Sequence, residues 1–221
     1  MLENAIDRVT GHMHASIHAW ANRRLNELVR DLLEEAVEHW AVANWIRYDE
    51  REVNCTIQLY RWLRESQRTN IRFHVLEVVF EAVTPTPGML HAIESVTTSA
   101  RSDLRIFVRT GSVIVEAKRL ASTGEWCKNY VNEGMARFVD MTYAAADKFA
   151  MMVGYVQQPS VDGLRDRVNK YVLKHELMGP SHVLNDEENR RHSHWLASVH
   201  QRKTGGPIAL HHLWIVLPPC P

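Results

Sequence analysis

The chain of 221 residues lacks the usual marks of a secreted or membrane protein. Its three cysteines, Cys55, Cys127 and Cys220, are too few and too widely spaced for a disulfide framework or for a zinc site built on close cysteine pairs. No apolar run reaches the roughly 18 residues that a membrane span needs. The N-terminal segment carries acids and histidines where a signal peptide has its apolar core. We therefore expect a protein of the reducing cytoplasm that does not enter a membrane.

A net charge is also lacking, because 26 Lys and Arg residues balance 26 Asp and Glu residues. This balance gives no general attraction to nucleic acid, so a nucleic-acid partner would need a local basic patch. With 45% hydrophobic and 24% charged residues, the composition is that of an ordinary globular protein. The length suits one domain, or one domain with a helical extension.

Helical periodicity dominates the first third of the sequence. Apolar residues at helical spacing predict a long helix over 15–46 and a second helix over 48–66. At the start of the second helix, Asp49 is a candidate N-cap, and Glu52 stands where the glutamate of a capping box would stand.

Predicted strands and helices alternate after residue 70. Branched and aromatic residues predict strands at 71–83, at 102–120 (as a hairpin), at 192–201 and at 208–217. Helical composition predicts two helices between the hairpin and the late strands, at 126–156 and 161–177. Strands bracketed by helices predict a mixed sheet with helices packed on it.

The predicted hairpin carries charged residues inside apolar strands. Because side chains alternate along a strand, Glu116 and Lys118 project from one face. A turn at 110–111 places Asp103 opposite Lys118 and Arg105 opposite Glu116. Asp103, Glu116 and Lys118 then share a face, which depends on this register. The open alternative is a solvated sheet face with a cross-strand ion pair.

Two carboxylates and an ammonium group at one end of a sheet suit phosphate chemistry. Mg²⁺ prefers oxygen ligands and is typically held by one or two carboxylates together with a substrate phosphate. A lysine beside it can orient or deprotonate an attacking water, or stabilise the charge that develops on the phosphate.

An aspartate, a strand and turn, and then Glu-x-Lys form the motif of the PD-(D/E)xK nuclease superfamily. The chain resembles that superfamily in Ser102-Asp103 and Glu116-Ala117-Lys118, both in their spacing and in their strand context. The proline that usually precedes the aspartate is absent. The resemblance covers about residues 50–156.

This resemblance implies an α/β fold with a restriction-endonuclease-like core, in which a mixed sheet is flanked by helices. Its core order is a helix, three antiparallel strands, a helix and a further strand. On this basis 1–48 would be an N-terminal helical extension, and 49–221 would be the nuclease-like domain.

The resemblance also assigns roles to residues. Asp103 and Glu116 would bind Mg²⁺, or Mn²⁺ in its place, and Lys118 would position or activate the water. Glu52, on the preceding helix, would complete the metal site, with Glu50 as the second choice.

Four further residues are candidates for contacts with the substrate. Arg105 and Arg119 would track a phosphate backbone, although ordinary surface charge is the alternative. Tyr130 and Arg137 lie on the helix that follows the motif, where the resemblance implies supporting roles.

Thirteen histidines raise the question of a second metal site. His192 and His194 share one face of a predicted strand and could supply ligands. No His-Glu-x-x-His motif accompanies them. Histidines that are exposed or bonded locally are the interpretation that we favour.

The function that the resemblance implies is metal-dependent hydrolysis of phosphodiester bonds, first of all in DNA. Prokaryotic phage defence or DNA repair would fit by family analogy. We expect a homodimer or a subunit of a larger complex, with the helix 15–46 as the interface. The alternatives are a non-catalytic binding or scaffold subunit with the same fold, and an unrelated mixed α/β binding domain.

Overall fold

The computed structural model describes residues 15–47, 49–83, 101–108 and 111–220. In this part of the chain, seven strands form one mixed sheet. The elements in chain order are α1 (Ala15–Val42), α2 (Glu52–Thr69), β1 (Glu77–Val83), β2 (Arg101–Val108), β3 (Gly111–Leu120), α3 (in three parts, Trp126–Asn129, the π-helical Tyr130–Met135, and Ala136–Val139), β4 (Phe149–Val156), α4 (Leu164–Val172), β5 (Asn185–Asn189), β6 (Ser193–His200) and β7 (Ile208–Val216).

The strands lie in the order β1-β2-β3-β4-β7-β6-β5. β1, β2 and β3 form an antiparallel meander, and β3, β4 and β7 run parallel at the centre. β6 and β5 then continue antiparallel to the other edge. The helices α1 and α2 share one hydrophobic core with one face of the sheet, and α3 and α4 share a second core with the other face.

The long helix α1 is packed into the first of these cores. Its buried residues recur at helical spacing: Leu25, Val29, Leu32, Leu33, Ala36, Val37 and Trp40. They belong to the same core as Leu59 of α2 and Val113 of β3. The division into 1–48 and 49–221 stays a prediction, and α1 is a layer of the packing on the sheet. In the described residues, no helix combines the length and apolarity that crossing a membrane requires.

Two strands were missed by the sequence patterns. The predicted helix over 126–156 is wrong in its second half, because α3 ends at Val139 and Phe149–Val156 forms β4. β4 lies between β3 and β7 and is buried along almost all its length, so it shows no alternation, and its alanine and methionines favour helix. β5 gave no signal because all of its residues are polar and exposed.

Other predicted elements are confirmed with shifted bounds. The predicted strand at 71–83 begins only at Glu77, because Asn70 accepts a hydrogen bond from the Arg72 N–H and starts the short 3₁₀ turn Ile71–Phe73. The helix within 161–177 is confirmed as α4, and the two late strands are confirmed as β6 and β7.

The predicted hairpin exists, but its register was wrong by two residues. The innermost described pair is Val108 with Gly111, so that Arg105 lies opposite Ile114 and not opposite Glu116. A shift of two residues leaves every side chain on its predicted face, because the strand period is two.

Candidate active site

A fork opens between β2 and β3 where their pairing ends. The last pair of the two strands is Leu104 with Val115, while β2 continues to pair with β1. Beyond that pair, the N–H groups of Ala117 and Arg119 have no backbone partner in β2, and each donates to a side-chain carboxylate instead. Asp103 Oδ2 accepts from the Ala117 N–H at 2.7 Å, and Glu52 Oε2 accepts from the Arg119 N–H at 3.1 Å.

Lys118 lies at the centre of this fork. Its Nζ donates to Glu52 Oε1 at 2.9 Å and to the Ala117 carbonyl at 3.0 Å, and lies 3.0 Å from Glu116 Oε1. Burial acts to lower the pKa of Lys118, but the charges of Glu116, Glu52 and Asp103 outweigh it and raise the pKa. The ammonium group is therefore held protonated. We call Glu52, Asp103, Glu116 and Lys118 the fork site.

Glu116 is the most buried charge of the fork site. Only 1% of it is exposed. Its Oε1 accepts from Arg137 Nη1 at 2.9 Å and contacts Lys118, whereas its Oε2 is buried without a hydrogen-bond partner among the described residues. Burial, and then the charge of Asp103, raises the pKa of Glu116 to about 7. Burial also raises the pKa of Asp103. Desolvated carboxylates of this kind favour an added cation.

Arg137 lies in the last part of α3 and reaches the fork site from the side of the second core. The side chain of Arg137 is 38% exposed, and its Nη1 donates to both Glu116 Oε1 and the Tyr143 hydroxyl. Gly134 allows α3 to pack closely on β3 and β4, because a Cβ at this position would lie 2.6 Å from Met152 Cε and 3.4 Å from Lys118 Cγ. Arg137 therefore contacts the motif through Glu116, and its supporting role with a substrate stays a prediction.

Glu52 reaches the fork site from the first turn of α2, so the capping-box interpretation was wrong. The N-cap of α2 is Arg51, without a side-chain cap. Asp49 instead accepts from the Arg51 N–H at 2.7 Å and from the Asn54 amide at 2.8 Å. Glu50 accepts from the Cys220 N–H at 3.2 Å. Its Oε1 also lies 3.8 Å from Arg47 Nη2. In the described residues its contacts therefore lie with Arg47 and the C-terminal segment, and not with Lys118.

The three other residues predicted to contact the substrate differ in their surroundings. Arg119 lies with its guanidinium 4.8 Å from the ring of Trp126, and Arg105 donates to Ser112 Oγ at 3.1 Å. Tyr130 is fully buried in the second core. The predicted supporting contact of Tyr130 with a substrate is therefore wrong.

Tyr130 belongs to a buried polar chain that the sequence patterns did not reveal. Its hydroxyl lies 2.8 Å from His212 Nδ1 and accepts from Trp214 Nε1 at 3.2 Å. Ser198 Oγ then joins His212 Nε2, at 2.9 Å, to His200 Nε2, at 2.7 Å. Burial lowers the pKa of His200 to about 3 and that of His212 well below its usual range. Both histidines are therefore kept neutral.

The histidines considered as metal ligands have local partners. His194 Nδ1 lies 2.8 Å from Asn189 Oδ1, and the ring of His192 lies edge-on to Trp45 with centroids 5.5 Å apart. Among the described residues, no group of three or more His, Cys, Asp or Glu side chains is arranged to hold a metal ion.

Comparisons of the chain with protein-family models, with curated proteins and with solved structures found no match. The case for a function therefore rests on the geometry of the fork site, on the order of the elements that build it and on the charges that it buries.

Proposed function

We propose that the protein is a metal-dependent nuclease that hydrolyses phosphodiester bonds, with DNA as its first candidate substrate. The observation that carries this proposal is the Glu116 carboxylate, which is 1% exposed and has one buried oxygen without a partner in the described residues. Burying a charged group in this way costs free energy unless a cation offsets it. Asp103 and Lys118 beside it complete the arrangement that phosphate chemistry requires.

The order of the elements around the fork supports the proposal. α2, the antiparallel strands β1, β2 and β3, the helix α3 and the strand β4, which runs parallel to β3, follow one another along the chain. This is the order that a restriction-endonuclease-like core implies. The motif residues lie at the end of β3 that the helix before the strands also reaches through Glu52.

The residues of the fork fit a magnesium or manganese ion held by two carboxylates, those of Asp103 and Glu116. Mg²⁺ is usually held by one or two carboxylates, water and substrate phosphate, so a larger protein cage is not required. When bound, the ion would lower the pKa of a water molecule and neutralise charge on the phosphate. Glu52 is already bonded to Lys118 and to the Arg119 N–H, so we assign it to positioning the lysine.

Lys118 has a narrower role than the motif alone implies. Because its pKa is raised and its ammonium group is fixed by Glu52 and Glu116, it is suited to donate hydrogen bonds and not to remove a proton. It would orient the attacking water and stabilise negative charge on the phosphate. Arg137, whose side chain is 38% exposed beside Glu116, would supply a second positive charge from the solvent-exposed side of the fork site.

The first prediction concerns cleavage of plasmid and single-stranded DNA with Mg²⁺ or Mn²⁺. Wild-type protein should cleave, and Lys118→Ala should lose at least about a hundredfold in rate, the usual effect of removing one such donor. Lys128→Ala removes a lysine that pairs with Glu125 in solvent and serves as the matched control. Equal cleavage by wild type and Lys118→Ala would instead assign the activity to a contaminant.

A non-catalytic binding or scaffold subunit is the second candidate, and one observation favours it. Lys118 already contacts Glu116 and Glu52, so the fork site is partly neutralised without a metal ion. A wild-type protein that neither cleaves nucleic acid nor gains stability from Mn²⁺ would support this candidate and contradict the nuclease.

A further inference from the structure

One face of β2 carries a line of side chains that starts at the fork site. Leu104 and Ile106 of this strand belong to the first core. Because side chains alternate along a strand, Asp103, Arg105 and Phe107 project from the opposite face, on the side of α3. Arg105 and Phe107 follow Asp103 by two and four residues, which at about 3.4 Å per residue are about 7 and 14 Å. We call Arg105 and Phe107 the stacking pair.

The motif residues of β3 project from the same face of the sheet as the stacking pair. Ile114, which lies opposite Arg105, belongs to the second core, as does Leu120. Glu116 and Lys118 lie between these two at even spacing, so their side chains point to the same side. A strand of nucleic acid at the fork site therefore continues along β2 to the stacking pair without crossing the sheet.

The helices of the described residues leave this part of the sheet uncovered. Among those residues, the second core includes side chains of β3, β4, β6 and β7 and none from β1 or β2. Phe107 is half-buried and belongs to neither core, although aromatic rings usually contribute to a core or to an interface. A ring that lies outside the cores and beside a candidate active site is placed to contact a ligand.

Arg105 is held against the ring of Phe107. Its guanidinium carbon lies 5.2 Å from the centroid of that ring, and its Nε donates to Ser112 Oγ at 3.1 Å. An aromatic ring and a planar guanidinium group are both surfaces on which an unpaired base stacks. The stacking pair thus offers such a surface next to the site where a phosphate would bind.

The positive charge beside Phe107 is offset by acids. The charge of Arg105 acts on Asp147, and the exposed Glu77 lies opposite Phe107 in β1. A surface with this balance gives little attraction to the phosphates of a duplex. Affinity has to come from the faces of the bases, which are hidden inside a duplex and accessible in a single strand.

We propose that the substrate is an unpaired strand of DNA, with one base on the stacking pair and the phosphate to be cleaved at the fork site. This inference rests on the proposed function and specifies its substrate class. Phe107 lies about 14 Å from Asp103 along β2, and a stacked strand rises about 3.4 Å per nucleotide. The stacked base is therefore no more than about four nucleotides from the cleaved bond.

The test measures the affinity of four proteins for a labelled DNA strand of about 16 nucleotides, alone or paired with its complement. Metal ions are left out so that no strand is cleaved. Wild type is compared with Phe107→Ala, which removes the ring, and with Phe107→Trp, which keeps one. The control is Tyr60→Ala, because Tyr60 is a half-buried ring that contacts Phe80 on the side of the first core. Thermal melting verifies that all four proteins are folded.

Wild type should bind the single strand more tightly than the duplex. Phe107→Ala should weaken binding of the single strand by about 5- to 150-fold, the range for loss of one stacked base, and should change duplex affinity by less than about twofold. The slope of log affinity against log salt should stay the same, because the ring contacts no phosphate. Phe107→Trp and Tyr60→Ala should keep the wild-type affinity.

The outcomes separate this inference from the proposed function. Equal affinity of wild type and Phe107→Ala for the single strand would overturn the inference, as would a wild type that prefers the duplex or binds neither form. If wild type and Phe107→Ala cleave duplex and single strand equally well with Mg²⁺, the nuclease stands and the inference fails. If wild type binds the single strand through Phe107 but cleaves nothing, the stacking pair stands as a binding surface and the nuclease fails.

Discussion

Replacing Lys118 with methionine should destabilise the metal-free protein by about 3–5 kcal/mol near neutral pH, because it removes the counter-charge of Glu52 and Asp103 and leaves Arg137 as the remaining cation beside Glu116. Lys118 is 8% exposed and contacts Glu116 and Glu52, and the charge of Asp103 also acts on it. Methionine keeps the length and the apolar stem of the side chain. Mn²⁺ should restore much of the lost stability, since it brings positive charge back to the same carboxylates. Urea unfolding with and without Mn²⁺ measures both effects.

The matched variant Glu116→Gln should behave in the opposite way. Glutamine keeps the shape of the side chain but removes the buried charge, so stability without metal should not fall by more than about 1 kcal/mol. The stabilisation by Mn²⁺, which amounts to about 2.7 kcal/mol at a hundredfold excess over Kd, should disappear. If Mn²⁺ stabilises Glu116→Gln as well as wild type, the ion binds elsewhere and the assignment of the fork site is wrong.

Acidification should destabilise the protein through the buried chain of His200 and His212. Both have a pKa below the ordinary value of 6.5 in the folded protein, so only the unfolded chain takes up their protons as the pH falls below about 6.5. Stability is then lost with falling pH, by about 2 kcal/mol for each histidine at about pH 5. Together the two histidines should cost about 4 kcal/mol relative to about pH 8.

A variant isolates this effect from other titrating groups. Burial raises the pKa of Glu116 to about 7 and also raises the pKa values of Asp103 and Asp147, which shifts stability with pH in the opposite direction, so the wild-type curve alone is a sum. His200→Gln should remove about one proton from the uptake on unfolding at about pH 5. Identical pH slopes for His200→Gln and wild type would show that His200 takes up its proton in the folded protein.

The shared face of the motif residues could be predicted from the sequence, although the register could not. Whether the side chains of Asp103, Glu116 and Lys118 share one face of the sheet depends only on whether the register is shifted by an even or an odd number of residues. The register was wrong by two, so the three side chains stayed on one face. Glu52 lies beside the motif residues for a reason that the sequence does not contain, and its role at a metal ion stays a prediction. Its partner is the free N–H of Arg119, which exists only because β2 leaves β3 earlier in the hairpin.

The error at Tyr130 has a definite geometric cause. Tyr130 and Arg137 are seven residues apart, which places them on the same face of a regular α-helix. The six residues Tyr130–Met135 are π-helical, and a π turn contains more residues than an α turn. The faces before and after it are rotated relative to each other. Tyr130 is therefore buried against His212 while Arg137 reaches Glu116.

The fork between β2 and β3 also gives two of the three carboxylates of the fork site, those of Asp103 and Glu52, separate reporters in hydrogen exchange. The amide protons of Ala117 and Arg119 are bonded to the side chains of Asp103 and Glu52, and not to the backbone of a neighbouring strand. The exchange rate of the Ala117 amide with solvent deuterium thus reports on Asp103, and that of the Arg119 amide reports on Glu52. An ion that draws Asp103 away from its amide would accelerate exchange at Ala117 alone, while Arg119 would stay protected for as long as Glu52 holds the lysine. The amides of Ala117 and Arg119 could in this way resolve whether a bound ion engages Asp103 or Glu52, without any measurement of catalysis.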